Sequence, residues 1–114
     1  MKRPLNVEKT LKALLNGTGK TSPQLRQQLV TYGEQSAGVE GVKGDVPAGL
    51  IPYLDKVAHR AYQIGDKEIA RLKKSGLSED EIFEITVATA IGAGLGRMTQ
   101  GLKALAAATQ EKES

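Results

Sequence analysis

Residues 76–108, GLSEDEIFEITVATAIGAGLGRMTQGLKALAAA, contain a helix stop, a helix start, a long apolar stripe and a cluster of glycines, in that order. Gly76 is placed to end one helix, because glycine reaches the left-handed conformation that helix ends favour. Ser78-Glu79-Asp80-Glu81 then fits a capping box, in which the serine hydroxyl and the glutamate three residues on satisfy each other's backbone N–H groups. Three acids in the first turn also suit the positive end of a helix dipole. Beyond the cap, Phe83, Val87, Ala90, Ile91, Gly94, Leu95, Met98, Leu102 and Leu105 recur at helical spacing, and Ile82, Ile85 and Ala93 widen the stripe. Such a girth predicts a long central helix with neighbours on two or more sides.

The glycines of this stretch invite a nucleotide-binding reading and do not sustain it. Gly92, Gly94 and Gly96 lack the G-x-G-x-x-G spacing, since Arg97 stands where the third glycine belongs, and no strand precedes them. Inside a helix each glycine costs about 1 kcal/mol relative to alanine. Close approach of helices, within the chain or across a subunit interface, is the expected compensation.

Working outward, Asp66 is expected to cap a short helix with Ile69 and Leu72 inward and Lys67, Arg71 and Lys74 outward. Before it, LIPYLDKVAHRAYQIG predicts a helix opened by Pro47 or Pro52, with Leu50, Leu54, Val57, Ala58 and Ala61 on one side and Gly65 at its end. Residues 33–46 hold four glycines and no periodicity, and read as a loop. Ser22-Pro23 starts an earlier helix with Leu25, Leu29 and Tyr32 inward and Gly33 as its stop. Asn6 caps a first helix through Val7, Leu11, Leu14 and Leu15, ended by Asn16-Gly17. Residues 109–114 are polar and expected to fray. No strand pattern occurs. The expected fold is all-α: one domain over 1–114, a compact bundle of about five helices with a long central C-terminal helix. Residues 1–46 supply N-terminal helices and a glycine-rich loop, 47–108 the helical core and 109–114 a tail.

Composition narrows the chemistry. The 114 residues include no cysteine, which excludes disulfides, thiolate metal sites and cysteine nucleophiles. One phenylalanine and three tyrosines are the only aromatics, so the core must come from Leu, Ile, Val and Ala. No stretch of about 18 apolar residues exists, so no membrane span is expected. Met1 to Glu8 has no apolar signal region, and a cytoplasmic location is the expectation. The net charge of +3 is spread among interleaved acids and bases. Lys67, Arg71 and Lys74 with Lys2 and Arg3 are the best candidates for a nucleic-acid contact, but a dense basic stripe is missing, so no such partner is expected.

Two constellations bear on function. Gly17-Thr18-Gly19-Lys20-Thr21-Ser22 looks like the end of a phosphate-binding loop, but Leu14 stands where its first glycine belongs and helix, not strand, precedes it. An interhelical loop with a serine cap is the expectation. Asp55 and His59 are four residues apart on one predicted helix, with Tyr62 three residues on. A carboxylate can fix an imidazole tautomer and raise its basicity, which makes an acid/base unit. Arg60 and Arg97 are the candidate holders of an acidic substrate. The plainer alternative is a solvated salt bridge. With one histidine in the chain, no metal and no cofactor are expected.

The run from Tyr53 to Leu105, and SGLSEDEIFEITVATAIGAG in particular, resembles the alkyl hydroperoxidase D-like proteins, which include the carboxymuconolactone decarboxylases. Such proteins place a G-x-S-x-x-x-I segment before a long helix, matched here by Gly76, Ser78 and Ile82. The resemblance implies an all-helical fold assembled as a homo-oligomer, a trimer or hexamer. Redox members carry C-x-x-C-x-x-x-H. With His59 in the histidine place, Pro52 and Asp55 stand at the cysteine positions, so the implied protein is a non-redox member without the peroxidase centre. The decarboxylase branch implies an alternative, acid/base catalysis through His59 on a small acidic ligand.

Overall fold

The computed structural model describes residues 19–41 and 44–113. They form four α-helices, α1 (Pro23–Ser36), α2 (Ile51–His59), α3 (Asp66–Lys74) and α4 (Glu79–Glu113), with 3-10 turns at Ala48–Leu50 and Ala61–Gln63. Among the described residues there is no strand, and no helix is long and apolar enough to cross a membrane. The expected helix through Val7 and Leu15 lies outside the described residues.

Local chemistry sets the helix starts. The Leu25 N–H donates to Ser22 Oγ at 3.1 Å, with Pro23 in the first turn where its missing N–H is harmless. The capping box of α4 is complete: the Glu81 N–H donates to Ser78 Oγ at 3.1 Å and the Ser78 N–H to Glu81 Oε1 at 3.0 Å. Gly76, at φ +109°, closes α3. Its N–H donates to the Lys73 carbonyl at 3.0 Å and that of Leu77 to the Leu72 carbonyl at 3.3 Å, the two bonds of a Schellman end.

Several boundaries differ from the sequence expectation. Gly33 does not stop α1, which continues to Ser36. Gly65, not Asp66, occupies the cap of α3. α2 ends at His59, so Tyr62 sits on the following 3-10 turn and not on the helix. α4 continues through Glu113 instead of fraying at 109. Residues 101–110 of it are exposed on every side, and they stretch the expected compact bundle to 58 × 29 × 23 Å.

The core is built where α1 lies against α4. Leu29, Leu54 and Ile85 are completely buried, each worth about 2 kcal/mol in area removed from water. Thr89 joins them, its hydroxyl satisfied by the Ile85 carbonyl at 2.9 Å. The two backbones nearly touch. A Cβ on Gly92 would come within 2.1 Å of the Val30 carbonyl oxygen, and one on Gly33 within 2.3 Å of the Thr89 carbonyl oxygen. A Cβ on Gly96 would lie 2.7 Å from the Glu34 carbonyl oxygen. Gly33 is therefore a contact point inside a helix.

The buried face of α4 carries Ile82, Ile85, Ala88, Thr89, Gly92, Ala93, Leu95 and Gly96. The stripe predicted from Phe83 to Leu105 is mostly the opposite face, with Phe83, Ala90, Gly94, Met98, Leu102 and Leu105 exposed. Both faces are apolar, so periodicity alone does not choose between them. The four α4 glycines likewise divide, since Gly94 and Gly101 meet nothing within 4 Å.

Gly92→Ala is expected to destabilise the fold by about 1–3 kcal/mol, because the rigid Val30 backbone must move. Gly101→Ala, in open space on the same helix, is expected to stabilise it by about 1 kcal/mol. Urea unfolding of both variants checks the pair; equal effects would remove the close-contact account.

Candidate functional site

Polar and concave places on this frame can carry chemistry. The first surrounds the residues singled out by sequence. Asp55 lies on α2, and its Oδ1 accepts the Tyr32 hydroxyl of α1 at 2.6 Å. Burial, then the adjoining Asp55 carboxylate, pushes the Tyr32 phenol up to about 12, so it remains a proton donor at neutral pH. His59, one turn along at the exposed end of α2, makes no side-chain hydrogen bond among the described residues. Arg60 is exposed, and Tyr62 is 84% exposed. Arg97 of α4 reaches across and donates through its guanidinium to the Ala58 carbonyl, satisfying an orphan group at the α2 C-terminus. The structure thus brings Arg97 near the His59 end of α2 and gives Asp55 a different partner, Tyr32, on another helix.

The second place is the loop that resembled a phosphate loop. From Gly19 onward it is described, and its N–H groups do converge on an anion. That anion is the chain's own Glu84. Lys20 N–H donates to Glu84 Oε2 at 2.8 Å, Thr21 N–H to Oε1 at 2.9 Å and the Thr21 hydroxyl to Oε1 at 2.6 Å. Arg26, 3% exposed, adds positive charge nearby. The Thr21 hydroxyl above all, then the two N–H groups and Arg26, hold the Glu84 carboxyl below its ordinary 4.5, against an opposing push from partial burial. A carboxylate sits where a phosphate would, and it pins the start of α1 to the second turn of α4.

The third place is a cavity of about 470 Å³ between the start of α1, the Ala48–Leu50 turn, the end of α3 and the start of α4. Leu25, Leu50, Leu72, Leu77 and Ile85 give it an apolar floor. Thr21, Arg71, Ser75 and Glu81 supply the polar edge. Arg71 is exposed and has only a loose ion pair, 3.8 Å from Glu68. Glu68 is held instead by Lys56 of α2 at 2.5 Å. A concave apolar wall with a few convergent polar groups is the usual form of a small-molecule site, and this volume is within its range.

Sequence reasoning did not find this cavity. Its walls come from four segments spread over more than sixty residues, and each wall residue also reads as ordinary core. Arg71 was singled out only as a basic surface residue beside Lys67 and Lys74. The neighbouring Lys73 is engaged with Glu79, and Lys2 and Arg3 lie outside the described residues. Among the described residues no group of three or more His, Asp or Glu side chains is placed to hold a metal ion.

The Glu84 clamp gives a pH dependence with a definite sign. Its folded value is depressed, so its stabilisation is fully present above about 4.5 and is lost as pH falls through the lower folded value. Glu84→Gln is expected to flatten that acid limb of the stability curve, read by urea unfolding between pH 3 and 7. An unchanged limb in the variant would refute the clamp. Searches among known protein families, characterised proteins and solved structures find no match to this chain.

Proposed function

We propose that this chain is a non-redox helical binding protein that takes a small apolar carboxylic acid into the cavity between α1, α3 and α4. The observation that carries the reading is the pairing of an apolar floor with the exposed, loosely paired Arg71 at its edge. The hydrocarbon body would rest on Leu25, Leu50 and Ile85, and the carboxylate would take the bidentate guanidinium fork of Arg71. Membership of the alkyl hydroperoxidase D-like superfamily, as a cysteine-free member, is part of the proposal. It is supported by the all-helical architecture and the capped long helix after Gly76. The lack of cysteine removes that superfamily's thiol chemistry from consideration.

Acid/base catalysis through His59 has less support. His59 is exposed at a helix end, and the carboxylate expected to orient it is bonded to Tyr32.

Isothermal calorimetry with octanoate, with 1-octanol as the uncharged control, tests the proposal. Octanoate is expected to bind saturably, and Arg71→Gln to weaken it about tenfold or more while leaving octanol unaffected, as expected for loss of a charge-assisted hydrogen bond. His59→Ala is expected to change neither. Octanoate binding that survives Arg71→Gln intact, or no saturable binding, would overturn the site.

A further inference from the structure

The cavity between α1, α3 and α4 has hydroxyls that are already committed, and this restricts what can enter it. Among the residues lining it, Thr21, Arg71 and Ser75 are the ones with side-chain donors. The Thr21 hydroxyl donates to Glu84 Oε1 at 2.6 Å, and the Ser75 hydroxyl to the Leu72 carbonyl at 2.6 Å. An ionised carboxylate and a carbonyl can only accept, so both protons are engaged there and each hydroxyl keeps only lone pairs. The backbone is engaged in the same way. The N–H groups of Thr21, Leu25, Leu50, Ser75, Leu77 and Glu81 all donate within the chain. Arg71 is therefore the side chain that supplies donors to a ligand.

Glu81 adds further acceptors to the same edge. It is half-buried, its Oε1 accepts the Ser78 N–H at 3.0 Å, and its Oε2 has no hydrogen-bond partner among the described residues. The neighbouring charges are closed pairs, Lys56 with Glu68 and Lys73 with Glu79, and Glu84 is held by the Lys20-Thr21 loop. The charges left facing a ligand are thus one of each sign. A ligand with a carboxylate alone would meet Arg71, but also the like charge of Glu81 and hydroxyl oxygens to which it can give nothing. An ammonium supplies what is missing: a positive charge with three N–H donors.

The floor fixes where that ammonium must be. Leu25, Leu50, Leu72, Leu77 and Ile85 offer no polar side chain, so a charge at the far end of the tail would be desolvated without a partner. Both charges belong at one end of the ligand and the hydrocarbon at the other.

We propose that the cavity takes an α-amino acid with an apolar side chain, bound as its zwitterion. Its carboxylate lies on Arg71, its ammonium on Glu81 and the Thr21 and Ser75 oxygens, and its side chain on the leucine floor. This rests on the acid-binding reading of the same cavity and narrows it.

Calorimetry with three ligands of matched chain length tests it: octanoate, L-2-aminooctanoate and 8-aminooctanoate. The 2-amino acid is expected to bind about tenfold or more tighter than either of the others. A capping box accepts glutamine as well as glutamate, so Glu81→Gln removes the charge and keeps the start of α4. That variant is expected to weaken 2-aminooctanoate about tenfold and to strengthen octanoate, opposite signs that a merely structural role would not produce. The comparison on the wild-type chain stands without the variant. If octanoate binds through Arg71 but the 2-amino acid binds no tighter, the zwitterion is overturned and the acid site stands. An 8-amino acid binding as tightly as the 2-amino acid, or an advantage that survives Glu81→Gln, would also overturn it. If none of the three binds saturably, the cavity is not a site and both readings fall.

Discussion

The close passage of α1 over α4 is the contact on which the rest of this structure depends. It exists because Gly33 on one helix and Gly92 and Gly96 on the other carry no side chain where the backbones meet. Bringing the axes together aligns Leu29 and Val30 with Ile85 and Ala88, and it draws in Leu54 from α2. The helical entropy given up at three glycines is offset by dispersion contacts over the whole crossing, which is how interiors reach crystal-like density. The same closeness determines the neighbours: with α1 seated, Thr21 and Lys20 arrive at Glu84, and Leu25 becomes one wall of the cavity.

Polar groups inside this frame are arranged as short chains between helices. The Thr86 hydroxyl donates to the Ile82 carbonyl at 2.7 Å, so the Tyr53 hydroxyl, 2.5 Å away, must donate to Thr86. Tyr32 donates to Asp55, and Lys56 pairs with Glu68. Each chain ties two helices together: α2 to α4, α1 to α2, and α2 to α3. These ties fix the rotation of the short α2, which has few turns of its own to hold it.

What was legible in the sequence was what neighbouring residues decide among themselves. Ser22-Pro23, the box from Ser78 to Glu81 and the stop at Gly76 act within four residues, and each is present as read. Which face of α4 is buried was not legible, because Ile82, Ile85 and Ala93 are no more apolar as a set than Phe83, Met98 and Leu105. Only the positions of the partner glycine Gly33 and of α1 break that tie. Glu84 was equally hidden, since a lone glutamate on a helix carries no local sign that it is the counter-anion of a loop 63 residues earlier. The Asp55–His59 spacing is a local pattern, whereas the hydrogen bond that Asp55 Oδ1 accepts from Tyr32 of another helix is non-local and carries no sign in the sequence.

The α1–α4 crossing also has a consequence for the order in which the chain acquires its shape. It joins segments some sixty residues apart, so its closure entropy must be met before the contact stabilises anything. The stretch between has its own short-range devices: the glycine stop at the end of α3 and the capping box at the start of α4, which favour these helix ends before any long-range contact forms. During synthesis α1 emerges first, with Leu29 and Val30 uncovered until the glycines of α4 leave the ribosome. The surface that stabilises the finished protein most is thus the one left open longest while it is being made, and the speed of α4 assembly sets how long that exposure lasts.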